Sequence, residues 1–396
     1  MRPDITAPRV KYDAQRTLYA LNLLQDFIPK SDRFKELCSS SRDIGFHAMQ
    51  DKVRWGIAGT GAIANSFASD IRFTGNAVLA AAYSRSQEKA DAFAARFGGI
   101  ASHSSIEAFA ADPGIDAVYV ASPNAVHLEH AIVFLSANKA VLVEKPLATS
   151  FDDARSLAAL AAAKSLFAME GMWSCFLPAI TKARALLDGE ALGRIRHVKA
   201  ELAYEKPFDP TSRFFDARLG GGSLLDLGIY PLSVCLNLFG HPQAVDGHWQ
   251  SAPTGVDLSA GIRLAYTGFE AHLSCGFDRD GDNRFIIDGD RGTLVIDAPF
   301  LKANRLFLGS NGLVRKVIAP KGQGLWAKAL TRIARRTSLP GLQRFDLPFP
   351  GNGLQFEIEA ASAAILEGWH EHILMPMSRS TQAVEIIEKI RALPPS

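Results

Sequence analysis

The residues that could do chemistry begin in a twelve-residue stretch, VRWGIAGTGAIA, at positions 53–64. Gly59, Gly61 and Ala64 fall in a G-x-G-x-x-A pattern, with Ala62 and Ile63 between the last two. That spacing suits a dinucleotide. The first glycine allows the tight turn, the second lets backbone approach a pyrophosphate, and the small third residue lets helix pack close on strand. The free N–H groups at the start of the helix then hold the phosphates. Glycine is common here, at 32 of 396 residues, so one match alone would be an ordinary strand–helix turn. The flanks supply the context such a motif needs: Val53, Trp55 and Ile57 alternate before it, and an amphipathic run from Ile63 through Phe67 and Ile71 follows.

Three further sets of residues stand at chemically useful places. The second apolar strand, Ala77–Tyr83, ends in Ser84-Arg85, with no acid until Glu88. An Asp or Glu there would take a ribose 2′-OH and repel a 2′-phosphate, whereas an arginine accommodates it. NADP is therefore expected over NAD, although an Arg85 stacked on adenine would leave both usable. Ser122-Pro123-Asn124 follows a nearly all-apolar strand at 115–121, and Glu144-Lys145-Pro146 ends another at 140–143. Ligands of open α/β sheets bind at the carboxyl ends of the strands. Pro146 disfavours helical geometry at Lys145, and the lysine points at the crevice. His127 starts a helix, as a cap, a surface residue or a direct participant. Finally, Asp226 and Tyr230 are four residues apart in an apolar helix that begins at 220–222, a spacing that puts a carboxylate and a phenol on one helical face.

The elements that must position these groups form two halves. Strands and helices alternate from 51 to 172: helices at 88–97, 106–111 and 151–164, the last capped by Ser150, and a closing strand at 167–170. This reads as a parallel, doubly wound dinucleotide-binding domain. From 173 to 396 the pattern changes. A helix at 177–188 precedes a long strand at 195–204, and a loop at 205–219 carries Lys206, Phe208, Arg213, Phe214 and Phe215. Those residues line a pocket mouth or an ordinary packed loop. Residues 258–266 and 269–277 alternate across Thr267-Gly268 as an antiparallel hairpin, and further strand is expected at 285–289, 292–297, 305–309 and 313–318. Helices at 355–369 and 380–391 close the chain. The second half is thus an α/β domain with an open, mostly antiparallel sheet whose bare face a second subunit would cover.

Composition bounds the rest. A length of 396 residues accommodates two domains, and 47% hydrophobic with 21% charged residues is the balance of a soluble globular protein. A net charge of +2 points to neither nucleic acid nor a membrane surface, and no uninterrupted apolar run reaches membrane-spanning length. Cys38, Cys175, Cys235 and Cys275 are scattered, so reduced thiols in a cytoplasmic protein are expected and no metal site is. Residues 1–50 differ from the remainder. They read as a poorly ordered extension or an unused upstream start, or alternatively as a helix (18–28) covering a dimer. The basic run at 328–336 reads as a solvated helical face.

Five stretches in order, AGTGAIA (58–64), SPNAVHLEHA (122–131), VEKPLA (143–148), MEGMWSCFLPA (169–179) and GGGSLLDLGIYPL (220–232), closely resemble the glucose–fructose oxidoreductase and inositol dehydrogenase (Gfo/Idh/MocA) family. The last two are most similar to the branch holding dimeric dihydrodiol dehydrogenases and NADP-dependent xylose dehydrogenases. The resemblance runs from about Val53 to the C-terminus. It implies a Rossmann domain binding NADP through Gly59, Gly61, Ala62, Ile63, Ala64, Ser84, Arg85, Ser122, Pro123, Asn124, His127, Glu144 and Lys145. It also implies catalysis by Lys145, Asp226 and Tyr230, a substrate region including Trp173, Phe176, Asp226 and Tyr230, and a homodimer through the second sheet. The expected reaction is hydride transfer to or from an alcohol carbon of a sugar, polyol or cyclic diol, with an inositol, an amino sugar or a non-catalytic sensing role as alternatives. In that assignment Tyr230 moves the proton, and Lys145 and the cationic oxidised nicotinamide both lower its pKa. Many members of the branch carry a basic residue where Cys175 stands here.

Overall fold

Apolar strands alternate with amphipathic helices in the first half, and the covering helices explain why. Strands β1 (Val53–Ala58), β2 (Ala77–Tyr83), β3 (Ala101–His103), β4 (Ala117–Val120), β5 (Ala140–Glu144) and β6 (Ala168–Gly171) form one sheet in the order β3-β2-β1-β4-β5-β6. Every pair is parallel. Each residue of β4, β5 and β6 is buried, as a parallel sheet covered on both faces demands. The helices are α1 (Ala62–Asp70), α2 (Gln87–Arg96), α3 (Ile106–Ala111), α4 (His127–Ser136) and α5 (Phe151–Lys164). Side chains of Ser86, Ser105 and Ser150 cap α2, α3 and α5 by accepting the backbone N–H three residues on. The chain reverses direction across the sheet between β1 and β4, which opens a crevice at their carboxyl ends. The computed structural model describes residues 52–318 and 339–396. The expectations for residues 1–50 and 328–336 lie outside them.

After α6 (Pro178–Asp188) comes a second sheet of eight strands. They are β7 (Ile195–Ala203), β8 (Ala244–Ser251), β9 (Asp257–Tyr266), β10 (Phe269–Gly276), β11 (Phe285–Gly289), β12 (Thr293–Ile296), β13 (Arg305–Gly309) and β14 (Leu342–Asp346). Their order is β14-β13-β12-β11-β7-β10-β9-β8. The sheet is mostly antiparallel as expected, but β7 and β10 pair in parallel. Helix α7 (Ile229–Phe239) packs on β7 and β10. The expected strand at 313–318 is instead helix α8 (Asn311–Val317). Leu313, Val314 and Val317 follow helical rather than alternating spacing, and they join Val295 and Phe307 in a small satellite core. By length and composition the helical stretch Ala217–Phe239 could cross a membrane, yet its most apolar window is 94% buried within the protein. It is a core helix.

The last two helices, α9 (Gln355–Leu366) and α10 (Met377–Arg391), return to the first half. Trp55 Nε1 in β1 donates to Ser362 Oγ at 2.9 Å, and α10 packs against both α5 and α7. The fully buried carboxylate of Asp70 closes this return. It accepts from the backbone N–H of Asn352 (2.8 Å) and of Leu354 (3.1 Å), and from Asn352 Nδ2 (3.1 Å). Removing the acceptor leaves several buried donors unmatched. Asp70→Ala should therefore lower unfolding stability by about 3 kcal/mol, read as a shifted urea midpoint at constant slope. An unchanged midpoint would show that the return is held by apolar packing alone.

Candidate active site

The glycine turn is built for backbone to approach something. Gly59 has φ +123°, and a Cβ there would lie 2.5 Å from the carbonyl oxygen of Ala121. Beyond it, Gly61 faces open space, with no atom within 4 Å of where a Cβ would stand. Helix α1 then begins with no side-chain cap and no acid in its first turn, so its N–H groups and positive end are uncompensated from the side-chain side. Ala64 is fully buried against the sheet. Ala62 and Ile63 form the opening of the helix. Across the crevice, Ser122 Oγ is buried with no hydrogen-bond partner. An uncapped helix start, an open glycine and an orphan hydroxyl together fit a bound dinucleotide.

At the end of β2, Ser84 Oγ accepts weakly from the Ser86 N–H (3.4 Å), and Arg85 is exposed. No carboxylate among the described residues is within ion-pair reach of Arg85. Asn124 Nδ2 reaches Gly220 O at 3.5 Å, tying the Ser122-Pro123-Asn124 turn to the start of the second half. Two residues expected among the cofactor contacts are engaged within the protein. His127 is fully buried, and its Nδ1 and Nε2 lie 2.8 Å from Pro146 O and 2.9 Å from Ser122 O. Burial pushes its pKa down against the pull of those carbonyls. The neutral ring this favours carries one N–H, so it donates to one of these two carbonyls while its other nitrogen lies beside the second. Glu144 is buried as well, with Oε1 accepting from Tyr119 OH (2.6 Å) and Oε2 from the Lys145 N–H (2.9 Å). Its two oxygens thus hold the Tyr119 hydroxyl and the Lys145 backbone.

Lys145, Asp226 and Tyr230 meet. Lys145 Nζ donates to Asp226 O at 2.8 Å, sits 3.4 Å from Asp226 Oδ1, and lies 4.7 Å from the centre of the Tyr230 ring. Asp226 stands in a π-helical turn, Leu224–Gly228, which leads into α7, so the simple four-residue α-helical spacing does not hold. Burial alone would favour a neutral lysine. Negative charge from Asp226 and Glu144, joined by Tyr230 only once it ionises, outweighs burial and holds the ammonium protonated above its ordinary pKa. Burial also tends to raise the Asp226 pKa, but Lys145, Arg213 and Lys206 together bring it below the usual value. Burial raises the Tyr230 pKa more than the expected pull of Lys145 lowers it, so the resting group is a phenol.

Trp173 Nε1 donates to Tyr230 OH at 3.3 Å, with the rings nearly perpendicular. Phe176, expected near the substrate, is buried and packs on His372, ring centres 5.1 Å apart. Cys175 is a buried free thiol whose pKa burial pushes up to about 12, which makes it an apolar packing residue. Behind the site lie three groups that the sequence reading missed. Tyr119 was hidden in an apolar strand, although its hydroxyl needed a partner. Glu170 is fully buried, one oxygen accepting from the Leu147 N–H (2.9 Å) and the other unpartnered. Glu357, on α9, is buried with neither oxygen partnered, and burial with the nearby charges of Glu144, Glu170 and Asp70 pushes its pKa well up. Nothing local marked Glu357, since its neighbourhood arises only from the return of α9.

The comparisons with known proteins agree with this geometry. Residues 53–172 match a family described as oxidoreductases with an NAD-binding Rossmann fold, and residues 180–295 match the GFO/IDH/MocA C-terminal domain. The chain is 34% identical over 251 residues to the scyllo-inositol 2-dehydrogenase (NADP(+)) of Bacillus subtilis, covering 62% of this chain and 76% of that one. It is 30% identical over 343 residues to the trans-1,2-dihydrobenzene-1,2-diol dehydrogenase of Xenopus tropicalis, covering 85% and 96%. Among solved structures, the aldose-aldose oxidoreductase of Caulobacter crescentus shares the fold with a TM-score of 0.72 at 23% identity, covering 86% and 96%.

Burial pushes the Glu170 carboxyl up to about 7. Its folded pKa therefore exceeds its unfolded one, so its contribution is complete below about pH 4.3 and is lost as pH rises through 7. Glu170→Gln should remove roughly 3 kcal/mol of this decline, gaining on the parent between pH 5 and pH 8 in urea titrations. A constant difference across that range would contradict the assignment.

Proposed function

The chain belongs to the Gfo/Idh/MocA oxidoreductase family, and from that premise we propose an NADP-dependent dehydrogenase that moves a hydride between nicotinamide and an alcohol carbon of a sugar, polyol or cyclic diol. The observation that carries the reading is the meeting of Lys145, Asp226 and Tyr230 at the carboxyl end of β5, beside the crevice onto which the glycine turn opens. The residues that would hold the cofactor are Gly59, Gly61 and the start of α1 at its phosphates, with Ser84 and Arg85 at a 2′-phosphate. Once bound, the nicotinamide supplies the hydride-accepting ring and, when oxidised, a positive charge. The chain supplies the rest. Lys145, held cationic, binds the alcohol or carbonyl oxygen. Tyr230, hydrogen-bonded by Trp173, would as a phenol give its proton to the oxygen in reduction and, as the phenolate that Lys145 and an oxidised nicotinamide would favour, take it from the alcohol in oxidation. Asp226 fixes the lysine and offers an acceptor for a neighbouring substrate hydroxyl. We also place a homodimer contact on the outward face of the second sheet, where polar residues of β9 and β10 such as Arg263 and His272 are exposed among the described residues.

Lys145→Ala and Tyr230→Phe should each reduce kcat by about 100-fold or more, the scale of lost acid–base assistance. Tyr230→Phe should leave the NADPH dissociation constant from fluorescence titration within about threefold, less than one hydrogen bond's worth. Retained turnover in both variants would remove the mechanism. For the cofactor, Arg85→Ala should narrow the ratio of NADH to NADPH dissociation constants by about tenfold, the worth of one charge-assisted contact. An unchanged ratio would place the 2′-phosphate elsewhere.

A further inference from the structure

The loop between β7 and the π-turn carries charge that hydride transfer does not require. Arg213 Nη1 lies 3.4 Å from Asp226 Oδ1, the same oxygen that Lys145 Nζ approaches at 3.4 Å. Lys206 Nζ lies 3.8 Å from the centre of the Phe214 ring and 5.3 Å from that of Phe277, and the Arg213 guanidinium sits 4.2 Å from the same Phe214 ring. Lys206 is half-buried, and no carboxylate among the described residues is within ion-pair distance of it. Burial lowers its pKa. Asp226 acts on it from longer range, with Arg213 and Lys145 opposing. Acids elsewhere on the loop are engaged, Asp209 with Thr211 and Asp216 with Arg218. Two cations therefore meet the Asp226 carboxylate, and a third, Lys206, acts on it from beyond ion-pair distance. Glu144 offsets one of them from behind, which still leaves a positive charge without a counter-charge.

A half-buried ammonium with no counter-ion is costly, and two ring faces compensate it only in part. A guanidinium beside it presents a fork suited to carboxylate or phosphate. We propose that the site takes a sugar or polyol bearing an anionic group, carboxylate or phosphate, which Lys206 and Arg213 receive while Lys145 and Tyr230 act on the alcohol. This rests on the dehydrogenase reading above. A neutral polyol would leave Lys206 unmatched, whereas an anionic one supplies the missing charge and lets Arg213 share it with Asp226.

The test uses the full chain loaded with NADP+ and paired compounds: D-glucose against D-glucuronate and glucose 6-phosphate, and myo-inositol against its monophosphate. In at least one pair kcat/KM for the anionic member should exceed that for the neutral one by about tenfold, the scale of one hydrogen bond to a charged group. Which arm responds identifies carboxylate or phosphate. The advantage should shrink with added NaCl, fall towards unity in Lys206→Gln, and persist in Lys206→Arg. Neutral members equal or better throughout, or an advantage that survives Lys206→Gln, would overturn the proposal while leaving the dehydrogenase reading intact. If no compound is oxidised, thermal stabilisation of the NADP-loaded protein is compared between each pair. Stabilisation by the anionic member alone, lost in Lys206→Gln, supports the anion site and sinks the dehydrogenase reading. Equal or absent stabilisation sinks the anion site.

Discussion

The contact on which the structure turns is a buried ammonium held by groups from both halves of the chain. Lys145 stands at the end of β5, and its Nζ rests on the backbone and carboxylate of Asp226, from a turn that precedes α7. Neither partner is stable in such a place alone. An unpaired buried charge would neutralise or pull water inward. Joined, with Glu144 behind and Tyr230 alongside, they keep a full positive charge beside the crevice. The same contact fixes the first sheet against the second half at the position where a substrate oxygen would sit. Stability and chemistry here depend on one charge.

Around that charge the protein arranges ties that are structural rather than reactive. His127 sits between two strand-end turns, Asp70 gathers the chain before α9, and Trp173 holds the Tyr230 hydroxyl. Gly353, at φ +109°, comes so near Trp173 that a Cβ would stand 2.8 Å from its ring. The segment pinned by Asp70 therefore also seats the tryptophan. A connection runs from the end of α1, through Asn352 and Gly353, to the phenol.

Much of the first half was readable because its signals are local. A parallel strand buried on both faces is a short apolar run, and a glycine turn needs particular glycines at fixed spacing. Ser150 in advance of Asp152 and Asp153 marks a helix start by chemistry alone. Lys145, Asp226 and Tyr230 could be singled out for the same reason, each lying in a short distinctive stretch. The failures share the opposite cause. The internal partners of His127 and Glu144, Pro146 O and Tyr119 OH, were not foreseen because they are distant in sequence or masked by an apolar run. Glu357 enters the picture only when α9 folds back. The direction of the Tyr230 pKa depended on depth of burial, which no spacing reveals. Residues 313–318 were misread because a short apolar run fits either a strand or a helix until its neighbours are known.

The central claim is that the crevice at the end of β5 presents Lys145 and Tyr230 to a nicotinamide whose phosphates lie on the start of α1. A crystal structure of the full chain with NADP+ tests it most directly. The account predicts a pyrophosphate against Gly61 and the first N–H groups of α1, with the nicotinamide ring beside Lys145 and Tyr230. A nucleotide bound elsewhere, or a ring directed away from those two side chains, would contradict it.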